Sequence, residues 1–331
     1  MLKYDRTDLI EKSTRTLDVI GKTEKIVDEI CQKGYSTIFY VGIGGTITYE
    51  WQMEAILKPI SALPLHVENA AELVAMGNKS FDKDTIMVID SASGDTKEVV
   101  AAVEWAHQKG ARVMGFIEKA GSPLAGMVDY LVNSEEGGYY YWYTVTLRFA
   151  HNAGDFADYD RFMAELKAHM PTILADVQEQ NDAPAAAYAA QYKDAPLQYL
   201  VGAGNLWGWA YCYAMCIMEE MQWMRTKSIS AADFFHGTLE VIGRDDVVVI
   251  FKGEDAARPL TERVEKFVHT ICNNVIVFDT RDFALDGISP EFRGLVSPFV
   301  MAAACKRISI HLENERKHPL EIRRYYRRLN Y

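Results

Sequence analysis

The sequence predicts an α/β protein with two tandem modules, each a doubly wound parallel sheet flanked by helices. Apolar, strand-like segments alternate with helical ones along the chain, as in parallel sheets whose crossover helices cover both faces. Three short segments also recur at an offset near 160 residues: VGIGGT at 41–46 with VGAGNL at 201–206, TIMVID at 85–90 with DVVVIF at 246–251, and RVMGF at 112–116 with NVIVF at 274–278. Two copies of one module are the simplest explanation of these matches.

The strands of the first module are expected at four apolar runs: 36–41, 85–90, 112–117 and 128–132. In the second module, residues 195–218 carry no charge and are long enough to cross a bilayer. A proline, a glutamine, an asparagine and three glycines interrupt that stretch. It therefore predicts a buried strand at 198–201, a glycine turn at 202–205 and a helix over about 206–224.

The two modules meet in a helix-rich region, from about residue 140 to 192. That region has many apolar anchors and little glycine or serine, so it is not a flexible linker. We place an N-terminal helix and the first module in residues 1–180. The second module and a basic C-terminal tail occupy residues 181–331.

The composition limits the classes of function. Of 331 residues, 49% are apolar and 24% charged, as in globular proteins with a full core. The net charge of −11 argues against binding to nucleic acid or to an anionic membrane, which requires a basic surface. Five cysteines, an odd number, indicate core thiols in a reducing compartment. The N-terminal region contains no apolar secretory segment, and the expected location is the cytoplasm.

The segment SASGDT at 91–96 carries the strongest local signal for ligand binding. It follows a predicted strand and precedes an amphipathic helix, so the free N–H groups and the dipole of that helix point at one spot where an anion binds. Gly94 permits close approach of the chain, and Ser91, Ser93 and Thr96 add hydroxyl donors. A serine-rich turn with an ordinary Thr or Asp N-cap is the alternative.

A second glycine loop, GIGGT at 42–46, follows the first strand. Adjacent strand ends share the crevice in which doubly wound sheets bind ligands, so both loops can face one phosphate. The loop lacks the third glycine of the dinucleotide fingerprint, and no Gly-Lys-Ser/Thr follows as in a Walker loop. In the second module the corresponding segment, FKGEDAAR at 251–258, carries an acidic pair instead of hydroxyls, which predicts one phosphate site per chain.

Candidate acid–base groups lie in the second module. Glu219 and Glu220 fall near the end of the helix predicted over about 206–224, which apolar residues surround on most sides. A desolvated carboxylate is suited to proton transfer, but both glutamates can also emerge at a solvated helix end. His236, in FFHG, is either an acid–base group or a core histidine.

Two further segments have open interpretations. The tail at 316–331 carries six Lys or Arg residues in an otherwise acidic chain, so it is either a solvated basic end or a strap over an anionic substrate. The aromatic run 139–143 is either a buried helix start or the lining of a pocket. The sequence shows no cluster of His, Cys and carboxylates at metal-ligand spacing, and we expect no metal site.

These residues resemble those of the sugar isomerase (SIS) domain family, present as two tandem copies from about residue 30 onward. Within that family the chain is most similar to the fructosamine 6-phosphate deglycase group, which includes fructoselysine-6-phosphate deglycases. The resemblance rests on SASGDT at 91–96, MEEMQW at 218–223, FFHG at 234–237 and the ending HPLEIRRYYRRLNY. It implies two modules of flavodoxin-like topology.

The resemblance also implies roles for individual residues. In the similar isomerase domain of glucosamine-6-phosphate synthase, a catalytic glutamate precedes a ring-opening histidine by 16 residues, which is the spacing of Glu220 and His236. Thr46 stands where serine is usual, and HGT at 236–238 replaces a frequent HGP. Contacts to the substrate phosphate are implied for six residues: Gly45, Thr46, Ser91, Ala92, Ser93 and Thr96.

The implied reaction is deglycation of a 6-phosphorylated Amadori product to glucose 6-phosphate and a free amino acid, with neither metal nor redox cofactor. Family members usually share the site across a homodimer, with the histidine from the neighbouring subunit. Alternatives are a phosphosugar aldose–ketose isomerase or amino-sugar-phosphate deaminase on the same scaffold, and a non-catalytic sugar-phosphate sensor. Further contacts to the substrate or its amino-acid part are assigned to Glu135, Tyr139, Tyr140, His318 and Arg324.

Overall fold

The structure, a computed structural model, describes residues 1–330 and divides them into two compact units. The N-unit is Glu11–Lys167, and the C-unit joins Met1–Ile10 to the chain from Ala168 onward. The change from one unit to the other falls within a helix, Tyr159–Gln180. The division of the sequence into modules at residue 180 stays a prediction.

A five-stranded parallel sheet forms the centre of the N-unit. Its strands are β1 (Ile38–Gly42), β2 (Leu65–Asn69), β3 (Ile86–Ser91), β4 (Arg112–Ile117) and β5 (Tyr130–Asn133). They lie in the order β2-β1-β3-β4-β5, and all neighbours are parallel. The direction of strand addition reverses between β1 and β3, which is where flavodoxin-like sheets bind their ligands.

Helices cover both faces of this sheet. On one face Phe39 packs with Ala102 in a buried cluster, and on the other the Tyr40 hydroxyl is 3.0 Å from that of Thr146. Because both faces are covered, the central strands are apolar at nearly every position. The helices are α1 (Arg6–Arg15), α2 (Asp18–Lys33), α3 (Gly45–Leu57), α4 (Ala70–Met76), α5 (Lys97–Gln108), α6 (Pro123–Met127), α7 (Gly138–Asn152) and α8 (Tyr159–Gln180), of which α1 and α8 belong to both units.

The C-unit repeats this arrangement with four parallel strands. They are β6 (Gln198–Gly202), β7 (Thr226–Ser230), β8 (Val247–Lys252) and β9 (Asn274–Asp279), in the order β7-β6-β8-β9. The helices are α9 (Asp182–Tyr192), α10 (Asn205–Cys212), α11 (Arg258–Val268) and α12 (Pro290–Arg316), with a π-helix at Tyr213–Glu219 and short 3-10 turns at Thr238–Val241 and Thr280–Asp282. The strand order matches that of β2-β1-β3-β4 in the N-unit. The predicted fold class, two parallel sheets flanked by helices, is confirmed.

Two strands were not predicted, β2 and β7, and both lie at sheet edges. Each is only partly buried, and polar residues such as His66 and Lys227 interrupt its apolar run. An edge strand has a single neighbour and a more exposed face, so its sequence lacks the apolar signal of a central strand.

Helix α12 is long and apolar enough to cross a membrane, and no other helix within residues 1–330 is. However, 78% of its apolar window is buried inside the protein. Met301, Cys305 and Leu312 lie in a cluster with residues of α9 and α10. Helix α12 is therefore a core helix of the C-unit.

Candidate active site

Both predicted phosphate loops lie in the N-unit, at the carboxyl ends of neighbouring strands. Residues 43–44 connect β1 to α3, and residues 92–96 connect β3 to α5. Strands β1 and β3 pair with each other at the point where the strand order reverses. Helices α3 and α5 therefore begin at the same edge of the sheet, and their first N–H groups have no acceptors within their own helices.

The turn before α3 depends on Gly44. Its φ of 65° and ψ of −124° belong to a region that L side chains rarely adopt. Gly204, at the corresponding place before α10, has φ 54° and ψ −130°. The same backbone conformation in both units supports the internal repeat seen in VGIGGT and VGAGNL.

The Thr46 side chain stabilises this turn through hydrogen bonds to the backbone of Ile43. Its hydroxyl accepts a hydrogen bond from the Ile43 N–H and also lies 3.1 Å from the Ile43 carbonyl oxygen, to which it donates. Gly45, the first residue of α3, lies beside it. Phosphate contacts from Gly45 and Thr46 stay predictions, and the Thr46 hydroxyl would share its bonds between Ile43 and the ligand.

The serine-rich loop is folded tightly. The Ser91 hydroxyl is buried and accepts a hydrogen bond from the Gly94 N–H at 3.0 Å. The hydroxyl oxygens of Ser93 and Thr96 lie 3.4 Å apart, and Ala92 is exposed. Thr96 is the N-cap residue of α5, but its side chain makes no capping hydrogen bond, so the ordinary N-cap alternative does not account for its hydroxyl. Its contact to phosphate stays a prediction.

Ser122 adjoins this loop, although the sequence did not indicate it. A Cβ added to Gly94 would lie 1.9 Å from the Ser122 hydroxyl oxygen. That hydroxyl is buried and has no hydrogen-bond partner within residues 1–330. The Leu124 N–H also donates to the Gly94 carbonyl oxygen at 3.0 Å. The loop between β3 and α5 is therefore packed against the start of α6. The Ser-Pro pair at 122–123, typical of a helix start, was the available signal.

Two buried carboxylates lie beneath the loops. Glu50 of α3 is fully buried, and neither of its carboxylate oxygens has a hydrogen-bond partner within residues 1–330. A Cβ added to Gly42 would lie 2.4 Å from its Oε1. Asp90 directly precedes Ser91 at the end of β3. Burial, together with the charge of Asp90, raises the pKa of Glu50 well above its usual range. Burial, with the charge of Glu118, raises the pKa of Asp90 to about 7.

Replacing Asp90 with asparagine is expected to flatten the pH dependence of stability. The folded protein binds the Asp90 proton more tightly than the unfolded chain does, so the free energy of unfolding falls as the pH rises through the usual carboxylate range to about 7. Each unit of pKa shift corresponds to about 1.4 kcal/mol, and an amide removes this contribution. Urea unfolding of both proteins between about pH 5 and about pH 8 measures it.

The matched control is Glu104→Gln, which removes an exposed carboxylate from α5 of the same unit. It should leave the pH profile of the wild type unchanged. An Asp90→Asn variant whose stability changes with pH as steeply as that of the wild type would contradict the raised pKa of Asp90.

In the C-unit a carboxylate lies at the place that corresponds to the phosphate loops. Asp255, between β8 and α11, accepts hydrogen bonds from the Asn205 N–H at 2.9 Å and from the Ala257 N–H at 3.1 Å. Asn205 begins α10, as Gly45 begins α3. Burial raises the pKa of Asp255. The carboxylate of Asp255 thus occupies the position at the start of α10 where a phosphate would otherwise bind. This gives a physical reason to expect one phosphate site per chain.

Glu220 follows a stretch of π-helix in the C-unit. The chain is α-helical only as far as Cys212, and Tyr213–Glu219 is wound as a π-helix. The Glu220 N–H donates to the Met215 carbonyl oxygen, five residues back, at 3.0 Å. The prediction of one α-helix over about 206–224 was therefore wrong beyond Cys212. A π-helical turn is often found at functional sites, and apolar spacing does not reveal it.

The two adjacent glutamates have different surroundings. Glu219 is exposed, and its carboxylate accepts a hydrogen bond from the Thr226 hydroxyl at 2.5 Å. The Glu220 side chain is 29% exposed, and its Oε1 accepts a hydrogen bond from Arg323 Nε at 2.7 Å. Neither carboxylate is enclosed within the C-unit, which fits the solvated helix end better than deep burial.

His236 is exposed in the turn after β7, so it is not a core histidine. Its backbone N–H donates to the Asp233 carbonyl oxygen at 2.9 Å. Within the described part of the chain, no hydrogen bond or ion pair joins His236 to Glu220. Its acid–base role stays a prediction.

The basic tail folds back onto the turn that follows Glu220. The Gln222 side chain donates to the His318 carbonyl oxygen at 2.8 Å. The rings of His318 and Trp223 lie 4.3 Å apart, and the Arg324 guanidinium lies 4.3 Å from the centre of the Trp223 ring. This part of the tail is therefore packed rather than freely solvated. Substrate contacts from His318 and Arg324 stay predictions.

The aromatic run of α7 lies in the core of the N-unit. Tyr139 is 7% exposed and donates its hydroxyl to Gln52, while Tyr140 is 1% exposed with its hydroxyl 2.9 Å from that of Ser13. These positions favour the buried helix start over the lining of a pocket. Glu135 is exposed after β5, at the same edge of the sheet as the phosphate loops, and its substrate contact stays a prediction.

Known proteins share both the fold and part of the sequence. The chain is 26% identical to fructosamine deglycase FrlB of Bacillus subtilis, over 96% of this chain and 100% of that protein. It is 24% identical to the fructoselysine 6-phosphate deglycase of Escherichia coli, over 91% of this chain and 88% of that protein. A solved structure of a proposed phosphosugar isomerase from Bacillus subtilis has a TM-score of 0.89 at 23% identity, over 98% of this chain and 100% of the other.

The family match lies within the unit that contains both loops. Residues 33–150 match the SIS domain, from the end of α2 to the end of α7. This segment contains the whole β2-β1-β3-β4-β5 sheet, with the loops at its β1 and β3 ends. Residues 33–150 are therefore the part of the chain that is similar to a SIS domain.

Proposed function

We propose that this protein is a deglycase, which converts a 6-phosphorylated Amadori product such as fructoselysine 6-phosphate into glucose 6-phosphate and a free amino acid. The likeness to two proteins named as deglycases, over at least 91% of the chain, carries the proposal. The paired loops at the β1/β3 edge support it, because a phosphorylated substrate requires an anion site.

In this proposal the N-unit loops bind the 6-phosphate. Backbone N–H groups and hydroxyls at two helix starts supply hydrogen bonds to an anion, which are stronger than those between neutral groups. The residues are Gly45, Thr46, Ser91, Ala92, Ser93 and Thr96.

The chemistry then requires proton transfers. His236 assists opening of the sugar ring by passing a proton to the ring oxygen. Glu220 moves a proton between C1 and C2 through an enolamine, which converts the ketosamine into a glucose-type imine. Water hydrolyses the imine, which releases the amine of the amino acid and leaves the aldehyde of glucose 6-phosphate. One base suffices because both transferred protons lie on one face of a planar intermediate.

The working form in this proposal is a homodimer in the cytoplasm. His236 of the partner subunit would complete the site of Glu220. His236 is exposed, and within residues 1–330 of one chain no hydrogen bond or ion pair joins it to Glu220, which fits such an exchange. The five cysteines form no disulfide bond within residues 1–330, which fits a reducing compartment.

The purified wild type is expected to release lysine and glucose 6-phosphate in equal amounts from fructoselysine 6-phosphate. Unphosphorylated fructoselysine is the matched control substrate, and it should yield no lysine, because the loops would have no anion to bind. Lysine and glucose 6-phosphate are measured by coupled assays. Interconversion of fructose 6-phosphate and glucose 6-phosphate without lysine release would identify an isomerase instead. Thermal stabilisation by these sugar phosphates without any turnover would identify a sensor.

A further inference from the structure

Arg323 joins the C-terminal segment to the carboxylate of Glu220. The distance from Arg323 Nε to Glu220 Oε1 is 2.7 Å, and the two side chains are 19% and 29% exposed. An ion pair that is partly shielded from water is screened less than one on an open surface. The contact therefore restrains the carboxylate more than an ordinary surface pair would.

Arg323 is itself fixed by its own segment. Its Nη1 donates to the Leu320 carbonyl oxygen at 2.6 Å and to the Ile322 carbonyl oxygen at 3.1 Å. The planar guanidinium is thus oriented by three hydrogen bonds when that to Glu220 is included. Glu220 Oε2 accepts no hydrogen bond within the described residues, so the guanidinium holds one oxygen and the other keeps its capacity to accept a proton.

The segment that carries Arg323 is anchored to the turn after Glu220. Arg316 Nη2 donates to the Gln222 carbonyl oxygen at 3.3 Å, and the Gln222 side chain bonds to His318 as described above. Trp223, which packs against Arg324, has a left-handed φ of 54°. We call residues 316–324 the tail latch, because Arg316, His318 and Arg324 all contact this turn.

We propose that Arg323 is a positioning residue for Glu220, and that the contacts of the tail latch hold Arg323 beside this carboxylate. This inference rests on the proposed deglycase reaction. Arg323 fixes Oε1 so that Oε2 is presented to the C1–C2 bond of the substrate, and it acts through Glu220 rather than on the sugar. A displacement of about 1 Å at a reacting group costs about a hundredfold in rate, so loss of Arg323 should lower kcat more than it raises KM.

Arg323→Ala is expected to lower the kcat for fructoselysine 6-phosphate by about tenfold to a hundredfold, with little change in KM. Guanidinium ions added to the assay should restore part of the lost kcat. The kcat of Arg323→Lys should lie between those of the wild type and Arg323→Ala, because lysine supplies the charge but not the planar guanidinium with its fixed N–H donors. The matched control is Arg328→Ala, which removes the same charge from an exposed position of the same tail and should keep the wild-type kcat.

A double-mutant cycle decides whether Arg323 acts through Glu220. Arg323→Ala in a Glu220→Gln background should cause no further loss of kcat. Additive losses, or a wild-type kcat in Arg323→Ala, would overturn the positioning role and leave the deglycase intact. A wild type that releases no lysine would overturn the deglycase and this role together. If Arg323→Ala does not fold, Arg323→Gln, which keeps hydrogen-bond donors, takes its place in the cycle.

Discussion

Replacing Glu220 with glutamine is expected to lower the kcat of lysine release by at least about a hundredfold, the scale of losing an acid–base group. The amide keeps the size of the side chain but cannot accept a proton from C1 of the substrate. The residues proposed to bind the phosphate belong to the other unit and are unchanged, so KM should change much less than kcat. Steady-state kinetics with fructoselysine 6-phosphate measure both constants.

Glu219→Gln is the matched control for this experiment. It makes the same change at the neighbouring residue, whose carboxylate is exposed and bonded to Thr226. It should keep nearly the wild-type kcat. Equal losses in the two variants would point to a disturbed π-helix, and a larger loss in Glu219→Gln would remove Glu220 from the role of base. Melting temperatures of both variants test whether they are folded.

Replacing Gly94 with alanine is expected to weaken phosphate binding by more than about tenfold, because the methyl group has no room and the backbone is in a left-handed conformation. Gly94 has φ 67°, and the added Cβ would lie 1.9 Å from the hydroxyl oxygen and 2.4 Å from the Cβ of Ser122. The loop must therefore move, which also disturbs the hydrogen bond from the Gly94 N–H to Ser91. Thermal-shift titration with glucose 6-phosphate and with inorganic phosphate measures the affinity.

Gly121→Ala is the control for the loop. A Cβ at Gly121 would have no neighbour within 4 Å, and the change lies next to Ser122, so wild-type affinity is expected. Adding Ser122→Gly to Gly94→Ala removes the collision with Ser122 but keeps the strained φ and a close contact of 3.1 Å to Ile117 Cγ2, so it should restore the affinity only in part. Unchanged phosphate affinity in Gly94→Ala would show that the anion binds elsewhere.

The sequence predicted the central strands well, for a physical reason. Strands β1, β3 and β8 are buried at every position, and an uninterrupted apolar run is what such a strand requires. The loops between β1 and α3 and between β3 and α5 were found because glycine and hydroxyl residues stand at strand ends. Both signals are local in the chain, so one sequence suffices to detect them.

The remaining parts of the site depend on contacts that no local pattern encodes. Nothing in the sequence distinguishes Glu50 from the other polar residues of α3. Only the fold places its carboxylate against Gly42. The tail contains six Lys or Arg residues, of which Arg324 was predicted to contact the substrate. The structure places Arg323 on Glu220 and Arg324 on Trp223 instead, a choice set by the path of the chain after α12.

Because of Asp255, the two units differ in whether a helix start needs a dissolved anion as its hydrogen-bond acceptor. The C-unit holds an intramolecular carboxylate against the start of α10, so that helix start is satisfied as soon as the unit folds. Under the proposed function, the equivalent donors of the N-unit are satisfied only by a molecule from outside. Under that function, a bound phosphosugar would stabilise the N-unit, whereas the start of α10 in the C-unit is satisfied without any solute.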